Sequence, residues 1–146
     1  MKESLIQYCQ NFISQKLEIN QKLIDTATES LESEGKSSAG DKHETGRAMA
    51  QLEMEKAGAK HQELMQIQKM VSKLGKGQGR ADQIGFDSLI HTDKGTYYLA
   101  ISIGPVKIEN STVIVISPKS PLGAGFIGKK IGDYNSFNGV KIQSIS

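Results

Sequence analysis

The sequence predicts an α+β protein: an N-terminal antiparallel two-helix coiled-coil hairpin, then a small domain built on an antiparallel sheet with one short helix. Three observations carry this. Residues 1–75 hold apolar side chains at helical spacing and contain no proline, since all three prolines fall later. Residues 83–146 switch to the two-residue alternation of strands. Between them "LGKGQGRADQIG" gathers glycines and basic residues in the manner of a linker. The expected domains are therefore 1–75, a linker at 76–82, and 83–146.

The first helix is expected over about residues 3–33. Positions 5, 9, 12, 16, 19, 23 and 26 follow the alternating 4,3 spacing of a coiled-coil seam. The second helix is expected over about 43–74, with a seam at 49, 52, 56, 59, 63, 67, 70 and 74. Lys16, Lys56 and Glu63 interrupt these stripes. Gly46 and Gly58 each cost the second helix about 1 kcal/mol relative to alanine. Between the helices, "SEGKSSAG" supplies two glycines and a polar cluster that turn the chain. At about 1.5 Å per residue each helix would reach roughly 45 Å, and equal helices on a short loop fold most simply as a hairpin.

Beyond the linker, "QIGFDSLI", "TYYLAISI", "TVIVIS" and "GVKIQSI" read as strands. The β-branched run "TVIVIS" predicts a strand buried on both faces. "TDKG", "GPVKIEN", "SPKSPLGAG" and "YNSFNG" read as turns. Ser120 and Pro121 fit the N-cap and first position of a short helix that Gly132 would end.

Composition narrows the function classes. The 146 residues include 37% apolar and 23% charged side chains, a globular balance. No apolar run approaches the ~20 residues of a membrane span, and "MKESLIQYCQNF" lacks the pattern of a secretory signal, so a cytoplasmic location is expected. Cys9 is the single cysteine, which excludes an internal disulfide. The net charge of +2 is too small to argue for nucleic-acid binding by itself. Its distribution is uneven: residues 1–75 hold ten Lys/Arg against eleven Asp/Glu, and residues 76–146 hold eight against five.

Several motifs fail on context. "GAGFIG" spells a dinucleotide-binding string, but "SPKSPL" separates it from the preceding strand and no acidic residue follows at the required distance. The same stretch resembles a phosphate-binding loop, except that Lys130 stands where Ser or Thr must bind magnesium. His43, His61, His91 and Cys9 share no zinc-ligand spacing.

Asp41 and Glu44 are the candidates that remain. Asp at N-cap with Glu three residues on is a variant capping box, and both acids suit the positive end of a helix. They also sit where a long hairpin turns, in a stretch from Asp25 to Glu44 that holds six acids and two lysines. Two carboxylates on one side can complete the shell of a hard cation held elsewhere, though they cannot build a site alone.

The whole chain resembles the bacterial Gre transcript-cleavage factors. "GDKHET", Gly40 to Thr45, looks like the Gre tip pattern Gly-Asp-x-x-Glu-Asn, with Thr45 in place of Asn. "SPKSPLGAGFIGKKIGDYNSF" is similar to the Gre signature, on which Ser120, Pro121, Leu122, Gly123, Gly128, Lys129, Gly132 and Asp133 fall. The resemblance implies an FKBP-like C-terminal domain and RNA polymerase as partner. Ser120, Pro121, Leu122, Gly123, Lys129 and Asp133 are then expected at the polymerase contact, with the hairpin in the secondary channel. Asp41 and Glu44 would help hold a Mg²⁺ shared with the polymerase, and no metal would be bound by the free protein. The polymerase would then cleave backtracked RNA near its 3′ end. The factor would be a monomer and a coactivator, not itself an enzyme.

The run after the tip, "TGRAMAQLEMEKA", departs from the family's Asn-Ala-Glu-Tyr, and His43 lies between the acids. A channel-binding regulator without cleavage activity is the alternative. A prolyl isomerase would need an aromatic-lined pocket, for which only Phe86, Tyr97, Tyr98, Phe126, Tyr134 and Phe137 are available in the second half.

Overall fold

The structure is a computed structural model. It describes the backbone of residues 1–35, 40–77 and 81–146, and the side chains of these except 34–35 and 40–44. It confirms the α+β class. Two long helices, α1 (Lys2–Gly35) and α2 (Gly40–Ser72), precede five strands: β1 (Leu89–Thr92), β2 (Gly95–Leu99), β3 (Gly104–Ile108), β4 (Ser111–Ile116) and β5 (Ile142–Ile145). A single-turn helix, α3 (Pro121–Ala124), lies between β4 and β5. The chain divides into two compact units, residues 11–68 and residues 1–10 with 69–146. Residues 78–80 of the expected linker lie outside the described residues.

Within the helical unit, the buried seam is not the one expected. On α1 the sheltered positions include Ile13, Leu17, Asn20, Ile24, Ala27 and Leu31, and on α2 Ala50, Met54, Ala57, His61 and Leu64, while Phe12 and Ile67 of the expected seam are also half-buried. The two sheltered sets run in 4,3 alternation. The expected positions Ile19, Leu23, Met49 and Leu52 are each more than half exposed. The expected register followed the largest apolar side chains, whereas the helices meet on small ones. Ala27, Ala50 and Ala57 let the backbones approach closely. Asn20 can donate from its Nδ2 to the carbonyl of Ala57 at 2.8 Å only because nothing bulky intervenes. Counting outward from that pair sets Ala27 against Ala50 and Ile13 against Leu64, the pairing of antiparallel helices. The small residues also leave a groove of about 380 Å³ lined by Leu23, Thr26, Lys56 and Lys60 among others.

This register has a measurable consequence. Ala27→Leu is expected to cost about 1–3 kcal/mol by overpacking. Leu23→Ala should change stability by less than about 0.5 kcal/mol, as exposed substitutions do. Urea unfolding of both variants distinguishes the two seams, because the expected register predicts the reverse order.

The sheet runs β3-β4-β2-β1-β5. It is mixed and not antiparallel as expected: β2 and β4 pair in parallel, from Thr96 opposite Val113 to Leu99 opposite Ile116. The reason is the segment read as the turn "GPVKIEN", which is strand β3. Residues 100–103 carry the chain past one strand width, and β3 becomes the edge. Glu109 and Asn110, both at positive φ (50° and 66°), return it as β4 in the vacant slot beside β2. Two successive positive-φ residues make the tight hairpin turn whose twist matches its strands. Pro105 is tolerated because β3 is an edge strand. The "TVIVIS" strand is as expected: Val113 and Val115 are buried and Ile114 and Ile116 half-buried. "QIGFDSLI" yields a strand only from Leu89, and β2 stops at Leu99.

One sheet face carries the main core, in which Ile90, Tyr97, Leu99, Phe126, Val140 and Ile142 are buried together, with Ile114, Ile116 and Leu122 packed against them. The rings of Tyr97 and Phe126 lie 5.1 Å apart, tilted by 55°. By strand alternation Tyr98 points to the other face. There its hydroxyl donates to Asp87 Oδ1 at 2.5 Å. Asp87 is buried, has φ of 74°, and accepts from Gly75 N on Oδ2 at 3.0 Å. Lys2 Nζ stands 3.8 Å from its Oδ1. One carboxylate thus ties the start of α1 and the chain just past α2 to β2.

Cys9, fully buried in the same unit, has its thiol pushed up to about 11, first by burial and then by the Asp87 charge. The same two influences, with the hydrogen bond to Asp87, push the Tyr98 phenol upward. Both groups are neutral when folded and ionise more easily when unfolded. The stability they contribute is complete below pH 9 and is lost as pH rises from about 9 to 11 for Cys9, and from about 10 upward for Tyr98. The Cys9 part is on the order of 2 kcal/mol. Melting curves between pH 8 and 11 should fall in that window, and less steeply for Cys9→Ala.

Candidate functional site

Asp41 and Glu44 are the second and fifth residues of α2, which begins at Gly40, so Asp41 lies within the helix and not at its N-cap as expected. Both are therefore at the N-terminal, positive end of a 33-residue helix, the end that favours carboxylates. Their side chains lie outside the described residues, as do residues 36–39 of the expected turn. The donor set has the chemistry of a hard-cation ligand: carboxylate oxygens, with no thiolate or paired imidazole at ligand spacing. Two residues are fewer than such an ion requires, and among the described residues no group of three or more His, Cys, Asp or Glu could hold a metal.

The second set, Ser120, Pro121, Leu122, Gly123, Lys129 and Asp133, belongs to one segment of the globular unit. Ser120 is the N-cap of α3, as expected: its Oγ accepts from Gly123 N at 3.1 Å and donates to Ser117 O at 2.7 Å. Pro121 occupies the first turn and is exposed. Leu122 is half-buried against the main core. Gly123 is buried, and a Cβ there would collide with the Ser117 carbonyl. Gly125 is similarly confined, with the place of a Cβ 2.5 Å from Asn135 Oδ1. The helix ends at Ala124 with Gly125 as its C-cap, not at Gly132, because the chain there turns at once to seat Phe126 in the core.

Lys129 and Asp133 hold the next loop. Lys129 N donates to Phe126 O at 3.0 Å, and its carbonyl accepts from Ile84 N at 2.9 Å. Asp133 Oδ2 accepts from Lys130 N at 2.9 Å while Asp133 N donates to Lys130 O at 3.0 Å. Gly132, at φ 92°, completes this turn. The spacing of the motif thus has a local physical basis: a cap, a contact without room for a side chain, a core anchor and a turn. Of its members Pro121, Gly128, Gly132 and Asp133 are exposed.

The residues that the motif reading passed over are those the same loop pushes outward. Ile127, Ile131, Tyr134 and Phe137 are all exposed, Phe137 by 66%. The sequence signal was the three-residue spacing of 131, 134 and 137 within a glycine- and asparagine-rich stretch. The aromatic rings do not gather around one cavity. Tyr97 and Phe126 pack together in the core, Tyr98 is buried on Asp87, and Tyr134 and Phe137 face out.

Among the described residues no helix is long and apolar enough to cross a membrane. No family model matches the chain, and no curated protein matches it. Among solved structures it is similar to the crystal structure of GreA factor homolog 1 (Gfh1) protein of Thermus thermophilus, at 20% identity, over 94% of this chain and 94% of that one, with a TM-score of 0.38.

Proposed function

We propose that this chain is a Gre-type transcription factor that binds RNA polymerase, places its helical hairpin in the secondary channel and stimulates cleavage of backtracked RNA. The observation that carries the reading is the Gly40–Thr45 tip sequence at the opening of the second of two helices of more than thirty residues. A paired-helix rod is a means of carrying two carboxylates into a narrow passage, since each residue of helix adds ~1.5 Å of reach. The local role that the structure gives Ser120, Gly123 and Asp133 accounts for the spacing of the second motif and is compatible with a polymerase contact through that loop.

On this reading Asp41 and Glu44 are the acting groups. They would bring negative charge to a divalent ion shared with the polymerase and orient the attacking water by hydrogen bonding. Mg²⁺, when jointly held, would supply an activated water and charge neutralisation at the phosphate. The factor is then no enzyme in isolation. Adding the chain to a backtracked elongation complex made with the cognate polymerase should shorten the RNA from its 3′ end. No acceleration over polymerase alone would defeat the cleavage reading. The second reading, a channel-binding regulator without cleavage activity, draws on His43 and Thr45, which depart from the family tip. It predicts binding and altered initiation or pausing with unchanged RNA length.

A further inference from the structure

The contact between the two long helices contains one directional feature. Asn20 is 4% exposed and is the one buried polar side chain among the described residues of the unit 11–68. Its Nδ2 donates to the Ala57 carbonyl at 2.8 Å, a bond between residues 37 apart in sequence. That carbonyl lies near the middle of α2, so the bond uses a second lone pair beside the helix's own hydrogen bond. The rest of the contact is largely aliphatic, with Ile13, Leu17, Ile24 and Ala27 on α1 and Ala50, Met54 and Leu64 on α2. Attraction between such side chains has no preferred direction. They would still find partners if α2 slid along α1 by one turn, ~5.4 Å.

The amide would not. A slide of one turn brings Met54 or His61 opposite Asn20 in place of Ala57, and either side chain fills the space that an amide-to-backbone bond needs. Asn20 would then be buried without a partner, which is costly. Chain connectivity does not supply the same restraint. Residues 36–39 join the helices, and four residues can reach roughly 14 Å. Packed helix axes lie about 10 Å apart, so that reach leaves room for a one-turn slide.

We infer that Asn20 is a positioning residue: by holding α2 at one stagger on α1, it fixes where Asp41 and Glu44 stand along the rod. A single asparagine buried in a helical seam specifies register in this way, at a cost in stability. Asp41 lies roughly 24 Å from Ala57 along the axis of α2, and a continuous helix carries any shift at Ala57 to it undiminished. A misplacement of ~1 Å can cost a reaction about a hundredfold, and a one-turn slide is several times larger. The inference rests on the proposed function only for its consequence in RNA cleavage.

The test is Asn20→Leu, which nearly keeps the size of the side chain and removes the amide. Nitroxide labels at Glu18→Cys and Gln51→Cys, both exposed positions, in a Cys9→Ala background report the stagger by pulsed dipolar spectroscopy. With Asn20 present the labels should give one narrow distance. Asn20→Leu should add a second, displaced by several ångströms, with a melting temperature equal or higher. Without the labels, Asn20→Leu should stimulate cleavage at least tenfold less at saturating factor while binding polymerase within twofold of wild type. A single distance identical to that of the Asn20 protein, or cleavage within twofold of it, would overturn the inference. A lowered melting temperature with one unshifted distance would reduce Asn20 to a packing residue. If the wild-type chain stimulates no cleavage, the functional reading fails, while the two distance distributions still decide whether Asn20 sets the stagger.

Discussion

Asp41→Asn/Glu44→Gln is expected to slow factor-stimulated RNA cleavage by about a hundredfold or more, the scale on which removing charge-stabilising groups acts in enzymes. The amides keep the size and most of the hydrogen-bonding capacity of the acids but lose the charge that would favour a shared cation. Stability should change little, since acids near a helix start contribute typically 0.3–1 kcal/mol each, less beyond the first turn. Single-turnover cleavage of a stalled complex, with polymerase binding measured on the same preparations, separates a lost function from a lost interaction. Wild-type cleavage by the double variant would reduce the pair to helix-end electrostatics. A local role alone would show as a lowered melting temperature with cleavage intact.

The second large effect is expected at Asp87. Asp87→Ala should destabilise the chain by about 3–5 kcal/mol, the range for removing one partner from a buried charged network. Three donors lose their acceptor together: the Tyr98 hydroxyl, the Gly75 amide and the Lys2 ammonium. The first belongs to a fully buried side chain, where an unpartnered hydroxyl is costly. Alanine would also have to adopt the left-handed backbone at φ 74°, which Asp tolerates better than most residues. Asp87→Asn keeps that tolerance and one acceptor, so its cost should be about half, although an amide nitrogen would face a donor. Urea unfolding of the three proteins gives the order wild type, Asn, Ala. Equal stability of wild type and Ala would mean that the cluster is incidental. Because the same carboxylate joins residues at both helix bases to β2, the loss should fall on the unit formed by residues 1–10 and 69–146.

The helices, their lengths and their antiparallel pairing were legible in the sequence because local spacing and the absence of proline determine them. The Ser120 cap was legible for a similar reason, as was the doubly buried β4. The seam register was not. Heptad reading rewards large side chains, so it selected Ile19, Leu23, Met49 and Leu52. The real contact is made by Ala27, Ala50 and Ala57 around Asn20, where close backbone approach outweighs side-chain size. Strand β3 escaped because Gly104 and Pro105 carry turn signals, and those signals are overridden only at a sheet edge.

The sequence by itself determined the two long helices, the Ser120 cap, and the place of Asp41 and Glu44 at the start of a long helix. Each depends on neighbours along the chain. Only the tertiary structure decided that β2 and β4 run parallel, that Asp87 joins three separate segments, and that Ile131, Tyr134 and Phe137 face solvent instead of the core. Those outcomes depend on which distant residues compete for the same buried space, and no local pattern records that competition.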